Sequence, residues 1–305
     1  MKKIITKGKT ERFALTAGEF LHLVDMNELT FRKCLRLVPL SYKNITIPKK
    51  NGGQRIISVP KDDLKRIQRV ILDKIFSKIK LPACAYGFSK GKTIIENANY
   101  HAKSESLLNL DIQNFFPSVH FEKVKQIFRD MGFDETISDI LCQLTTFEHK
   151  LPQGAPTSPF IASFALNNLD YRLLDLARKN YISYSRYFDD LCFSGGKRVA
   201  VLEKDISKII SQEGYKVKRK KRQYFTKGET KEVNGISIAN GKLFLKNTDV
   251  LFLYLNELKD FGLRKLRSDN PGKEYASLVG KVSFLKAIDS RNGELAEEIL
   301  KSIHW

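Results

Sequence analysis

Two adjacent carboxylates, Asp189 and Asp190, sit in the run Tyr181-Ile-Ser-Tyr-Ser-Arg-Tyr-Phe-Asp-Asp-Leu-Cys-Phe-Ser194, which Gly195-Gly196 closes. Aromatic residues favour strands and Asp favours turns, so this pattern predicts a β-hairpin with the acids at its tip. Neighbouring acids repel one another, and burial makes ionisation harder still. A hard cation such as Mg²⁺ relieves that cost, which makes phosphoryl chemistry the natural use of the pair. An isolated Asp-Asp is more often an ordinary turn, so the rest of the chain has to decide.

A third acid follows the same logic. Leu107-Leu-Asn-Leu-Asp111 reads as an apolar strand delivering Asp111 at its end, before a helix over 121–128. If the fold brings Asp111 to Asp189, carboxylates from two strands can hold two cations. Such a pair, about 3.5–4 Å apart, clamps the attacking and leaving oxygens of a phosphoryl transfer. Phe116 lies five residues beyond Asp111 and is either core or a bulky wall of the site, whereas Phe115 reads as core.

The elements that must position these acids can be read in order. Apolar spacing at Phe20, Leu23 and Val24, then at Phe31, Leu35 and Val38, predicts about two helices within residues 1–40. Strands at 45–48 and 55–59 flank Lys49-Lys50-Asn51-Gly52, a hairpin signal that puts Lys49, Lys50 and Arg55 on a protruding finger. Those cations are either a solvated turn or a clamp on a triphosphate. Leu64, Ile67, Ile71, Ile75 and Ile79 repeat at helical spacing. Asn97 and His101 share a helix face, as a satisfied polar pair or as part of a site. In Leu151-Pro-Gln-Gly-Ala-Pro-Thr-Ser-Pro159, the prolines stiffen a loop in which Gly154 permits close backbone approach. Gln153 there either contacts a base or sugar or belongs to a plain connector, and a long helix is expected from Phe160 to about Arg178. Lys216-Val-Lys-Arg-Lys-Lys-Arg222 is expected to meet backbone phosphates. A small hairpin at 232–245 and three helices complete the chain, the last part decorated by Arg264, Lys265 and Arg267.

Composition narrows the class of partner. Lys and Arg number 53 against 34 Asp and Glu, an excess of +19 that favours a polyanion such as nucleic acid. No apolar run approaches the ~20 residues that cross a bilayer, and no secretory signal opens the chain. Cys34, Cys84, Cys142 and Cys192 are scattered without CxxC pairing, as in reduced core thiols, so a cytoplasmic protein without zinc is expected.

Taken in order, Asp111-x-x-x-x-Phe116, Leu151–Pro159 and Tyr187-Phe-Asp-Asp190 resemble a reverse transcriptase over residues 45–245. Asn97-Ala-Asn-Tyr-His101 fits the NAxxH element of the bacterial retron type, and Val233-Asn234-Gly235 stands where that type usually has Val-Thr-Gly. Two departures are Phe188, commonly Ala in the type, and Asn234. The resemblance implies an α+β right-hand fold: fingers, a palm of antiparallel sheet with helices behind, and a helical thumb. On that plan, residues 1–44 form a helical extension, 45–232 the fingers and palm, and 233–305 an RNA-binding thumb.

The same resemblance implies that Asp111, Asp189 and Asp190 ligate two Mg²⁺, with Mn²⁺ as a substitute. Phe116 would exclude a nucleotide 2′-OH. Arg55 and Lys49 or Lys50 would hold the triphosphate of a dNTP, Gln153 and Gly154 would shape the pocket, and Lys221 or Lys220 would protonate pyrophosphate. Asn97, His101, Val233, Asn234, Gly235, Arg264, Lys265 and Arg267 would serve RNA binding. The implied partner is a structured noncoding RNA (msr-msd), primed from an internal guanosine 2′-OH to give branched msDNA. An effector protein and a role in phage defence are also implied. Another defence-associated or group II intron-like reverse transcriptase, or an inactive RNA-binding scaffold, are the competing readings.

Overall fold

The computed structural model describes residues 2–6, 9–48, 52–89 and 91–305. The helical reading of the first 40 residues holds only from Ala17, because an antiparallel pair, β1 (Lys2–Thr6) and β2 (Lys9–Ala14), comes first. Helix α1 (Ala17–Val24) starts at Thr16, whose hydroxyl accepts the Glu19 amide while Glu19 returns to the Thr16 amide. That reciprocal cap satisfies two otherwise orphaned donors. Helix α2 (Glu28–Arg36) is capped by Asn27 in the same manner on one side only. Phe20, Val24 and Phe31 from these helices enter the main core.

Strands β3 (Tyr42–Pro48) and β4 (Gln54–Pro60) pair antiparallel in the expected finger. Lys49, Lys50 and Asn51 lie outside the described residues, while Gly52 and Gly53 take φ of 82° and 80°, which only glycine adopts freely. Helix α3 (Asp62–Lys74) is shorter than its apolar repeat suggested, since the chain tightens into a 3₁₀ turn at Phe76–Lys78 before Ile79. Next come α4 (Ile94–His101), β5 (Ser106–Asp111), α5 (Phe115–Ser118), α6 (Phe121–Asp130) and α7 (Glu135–Thr145).

The single helix expected from Phe160 to Arg178 is two, α8 (Ser158–Phe164) and α9 (Asn167–Lys179). The break has a cause: the Ser163 carbonyl accepts a guanidinium N–H of Arg186 at 2.8 Å, where a continuous helix would use it for Asn167. Strands β6 (Ser183–Tyr187) and β7 (Asp190–Gly195) form the acid-bearing hairpin. Helices α10 (Arg198–Val201) and α11 (Glu203–Gln212) lead to β8 (Gln223–Phe225). The small hairpin expected near 232–245 gains a third strand: β9 (Lys231–Val233), β10 (Ile236–Ala239) and β11 (Lys242–Phe244). The three C-terminal helices are as expected, α12 (Thr248–Phe261), α13 (Pro271–Ile288) and α14 (Ser290–Ser302), and they enclose a cluster of their own.

The central sheet has the order β6-β7-β5-β8, antiparallel throughout. Strand side chains alternate between faces, and the two faces do different work. Leu108, Leu110, Leu191, Phe193 and Tyr184 point into the main core. Leu107 and Cys192 point the other way, into a cluster with Ala98, Ala102, Val233, Ile236 and Ile238. Asn109 and Asp111 share the face of Leu107, so the alternation that buries the leucines carries the acid to the opposite side.

Candidate active site

Tyr187 pairs with Asp190, leaving Phe188-Asp189 as a two-residue turn. Phe188 takes φ of 56°, a left-handed conformation costly for a bulky residue and held only by its surroundings. One support is Gly87, where an added Cβ would stand 3.0 Å from the Phe188 nitrogen. Another lies one residue before the turn's first strand pair. Arg186 is wholly buried, its Nε donating to Asp170 at 2.8 Å and its Nη1 to the Ser163 hydroxyl at 2.9 Å. Tyr184 donates its hydroxyl to the same Asp170 at 2.8 Å. Removing one partner of such a pair leaves a buried charge alone, a loss of about 3–5 kcal/mol. The pair therefore bolts β6 to α8 and α9. Sequence reading missed it; the signal was that Arg186 shares the inward parity of Tyr184.

Asp111 is the register partner of Asp190, and the Ile112 amide donates to the Asp189 carbonyl at 3.1 Å. The convergence of the three acids that the sequence required is thus present. The basic run lies alongside: the Lys218 amide donates to the Asp111 carbonyl and the Gln113 amide to the Lys216 carbonyl, both at 2.7 Å. This brings the Lys221 ammonium onto the Asp111 carboxylate. Lys220 lines the same cleft without that contact, which separates the two candidates.

Electrostatics follow from this crowding. Burial, then the charge of Asp111, pushes the Asp189 carboxyl above its ordinary range. Burial, then Asp189 and Asp111, pushes Asp190 up as well. For Lys221, burial opposes the charge, but the hydrogen bond to Asp111 and the other two carboxylates outweigh it and its pKa rises. Among the described residues no three acidic, histidine or cysteine side chains are already gathered as a metal cage. The donor set nonetheless fits hard cations: three carboxylates on one edge, with the Lys221 ammonium against one of them. Asp111 and Asp190 border a cleft of about 670 Å³ that also includes Asn109, Gln223, Glu232, Asn234 and Gly235.

Arg55 is exposed on β4 and near enough to favour the charged form of Asp189. The Gln153 carbonyl accepts the Ser58 amide at 2.7 Å, docking the Leu151–Pro159 loop against the finger. Gly154 makes the docking possible, because at φ 126° a Cβ would meet Ile57 Cγ2 at 2.6 Å and the Ser58 carbonyl at 2.9 Å. Phe116 is half-buried and packs on the buried Phe115, ring centroids 5.9 Å apart. Lys50 lies outside the described residues.

The residues expected to serve RNA divide. Arg264, Lys265 and Arg267 are exposed on the connector after α12, the first two over the Phe261 ring and Arg267 over Tyr254. Asn234 and Gly235 form a left-handed turn at the cleft, φ 49° and 82°. Asn97, His101 and Val233 are corrected: all three are fully buried, the first two hydrogen-bonded internally and the third packed in an apolar cluster, so none can touch RNA directly.

Residues 47–253 match the family described as reverse transcriptase (RNA-dependent DNA polymerase). The retron Mx162 reverse transcriptase of Myxococcus xanthus is 34% identical over 285 residues, 83% of this chain and 59% of that protein. The retron Ec86 reverse transcriptase of Escherichia coli is 31% identical over 218 residues, 70% of this chain and 68% of that protein. The chain spans about three fifths of the length of the Mx162 protein. In fold it is similar to telomerase from Candida tropicalis, solved with a TWJ fragment of telomeric RNA, at TM-score 0.52 and 12% identity, covering 86% of this chain and 52% of that one.

Proposed function

The chain belongs to the reverse transcriptases, within them to the retron type, and on that premise we propose that it is an RNA-directed DNA polymerase. Its α+β fold is the right-hand polymerase fold expected from sequence. The observation that carries the activity is the meeting of Asp111, Asp189 and Asp190 at one sheet edge beside an open cleft. Two Mg²⁺, or Mn²⁺ in their place, would be held by these carboxylates and would neutralise charge developing on the transferred phosphoryl group. The protein's own side chains do the rest. Lys221 holds a proton within reach of Asp111, where a departing pyrophosphate can take it. Arg55, with Lys50, grips the triphosphate, and Phe116 walls off a ribose 2′-OH. Gln153 and Gly154 fix the pocket floor against the finger.

The division into a 1–44 extension, fingers and palm at 45–232 and a thumb at 233–305 belongs to the same proposal. Exposed Arg264, Lys265 and Arg267, the Asn234–Gly235 turn and the +19 charge support RNA as template. The proposed RNA is the structured msr-msd transcript, primed at an internal guanosine 2′-OH to give branched msDNA. A cytoplasmic setting with an effector protein, in phage defence, completes the proposal; no helix among the described residues is long and apolar enough to cross a membrane. The test is primer extension with dNTPs and Mg²⁺ on an RNA template, together with analysis of copurified nucleic acid. Extension that persists in both Asp189→Asn and Asp190→Asn would falsify the catalytic assignment. Copurified linear DNA with no 2′-branch to RNA would remove the retron reaction while leaving a polymerase.

A further inference from the structure

Asn97 and His101 are too deeply buried to meet RNA, yet they are the centre of a polar network that neither packing nor catalysis accounts for. His101 lies across both strands of the acid-bearing hairpin. Its Nδ1 is 2.6 Å from the Ser194 hydroxyl on β7, and its Nε2 is 2.7 Å from the Ser185 hydroxyl on β6. Ser185 donates to the Asn97 amide oxygen at 2.5 Å, and the Asn97 amide nitrogen donates to the Asn234 side-chain oxygen at 2.7 Å. At the far end, Ser104 donates to Ser194 at 2.9 Å.

The donors determine the direction of every link. Ser185 spends its proton on Asn97, so it accepts from His101, which places the imidazole proton on Nε2. Nδ1 is then an acceptor and takes the Ser194 proton, while Ser194 accepts from Ser104. The result is one unidirectional chain: Ser104 to Ser194 to His101 to Ser185 to Asn97 to Asn234. Aligned hydrogen bonds polarise and strengthen one another, most of all away from water. Asn97, His101, Ser185 and Ser194 are all 0% exposed. A second proton on His101 would collide with the Ser194 donor, in keeping with the burial that lowers its pKa to about 4.

We infer that Asn97 and His101 are positioning residues that tether the Asn234–Gly235 turn to the catalytic hairpin and so set the width of the cleft in which a primer–template duplex seats. The inference rests on the polymerase reading for what occupies the cleft. Two features single out the turn as the thing positioned. It borders the cleft together with Asp111 and Asp190, and its side-chain contact with Asn97 ties the loop between β9 and β10 to the hairpin face of α4. Asn at 234 suits both demands, since it tolerates the left-handed backbone and offers the terminal acceptor.

The test measures Kd for a labelled RNA–DNA primer–template by fluorescence anisotropy, and KM and kcat for extension, in the full chain. Asn234→Gly keeps the left-handed turn and removes only the acceptor; Asn234→Asp restores the acceptor. Loss of the Asn97–Asn234 link raises Kd and KM for primer–template about tenfold in Asn234→Gly, and Asn97→Ala, which also strips Ser185 of its acceptor, raises them at least as much. The increase in KM for the duplex exceeds the fall in kcat, and Asn234→Asp recovers most of the affinity. The double variant Asn97→Ala/Asn234→Gly is no worse than Asn97→Ala alone. Wild-type Kd in Asn234→Gly, additive losses in the double variant, or losses confined to kcat would each overturn the tether. A wild-type protein that binds the duplex without extending it would instead remove the polymerase reading, and the affinity comparison would still decide this one.

Discussion

Asp111 and Asp190 face each other directly across the β5–β7 ladder, and the first amide after β5, that of Ile112, donates to the carbonyl of Asp189. Like charges directly opposite in a sheet are destabilising, so this edge is built against the fold's own stability. Asp189 and Asp190 both have raised pKa values from burial and from neighbouring carboxylates. A carboxyl whose folded pKa is raised stabilises the fold below its unfolded pKa, and that contribution disappears as pH rises through the folded value.

The first prediction follows from that sign. In metal-free buffer at pH 8, Asp190→Asn raises the melting temperature by a few degrees, about 1 kcal/mol or more, because the repulsion is gone. Added Mg²⁺ stabilises the wild type and leaves Asp190→Asn nearly unmoved, while extension by the variant falls at least ~10³-fold. Thermal scans with and without Mg²⁺ decide it; a variant less stable than wild type in metal-free buffer contradicts the account.

A second prediction concerns acid. His101 is buried neutral, its pKa lowered to about 4 by burial. Between its ordinary value and about 4 the unfolded chain binds the proton and the folded one does not, so stability falls as pH drops through that window. The slope is about 1.4 kcal/mol per pH unit for this one group. Urea midpoints from pH 7 to pH 4.5 should show the slope in wild type and a shallower one in His101→Gln.

Much of this was legible in the sequence, and the failures share a cause. Alternation and turn chemistry located the acid hairpin and Asp111 because strand periodicity alone decides which residues share a face. The Asn97–His101 face was also found correctly. Helical spacing does not say whether a polar face looks toward water or inward, and here the inward answer depends on Ser185 and Ser194 on other elements. The break between α8 and α9 was invisible for the same reason, since it arises where Arg186, from a later strand, claims the Ser163 carbonyl. The hairpin of β1 and β2 precedes the apolar helical pattern and is too short for alternation to outweigh it.

A third prediction tests the polyanion reading. With its excess of +19, the protein should lose RNA affinity by about 10²-fold or more between roughly 50 and 200 mM salt. Charge neutralisation at Arg264, Lys265 and Arg267 together should flatten the slope of log Kd against log salt by about 3 if each meets a phosphate. An unchanged slope would move the RNA off the α12 connector.

Phe116 gives a fourth. Its ring packs on the buried Phe115, which itself packs on Tyr215 with centroids 5.8 Å apart. On the proposed role of Phe116 as a wall against a ribose 2′-OH, Phe116→Ala should raise incorporation of ribonucleotides relative to deoxynucleotides by about 10- to 100-fold. Competition between matched rNTP and dNTP on one template reads the ratio directly; constant discrimination would place the gate elsewhere.

The last prediction isolates the contact between finger and loop. Gly154 sits at φ 126° with Ile57 Cγ2 and the Ser58 carbonyl where a Cβ would go, whereas Gly53 at φ 80° has nothing within 4 Å. Both Gly→Ala changes incur backbone strain, but only Gly154→Ala must also push β4 away and stretch the bond from Ser58 to the Gln153 carbonyl. Gly53→Ala should therefore lose about 1 kcal/mol and Gly154→Ala about 3 kcal/mol or more. Because β4 also carries Arg55, the displacement should raise KM for dNTP in Gly154→Ala and leave it close to wild type in Gly53→Ala. Equal effects on stability and on KM in the two variants would mean that the finger is not seated on the loop through Gly154.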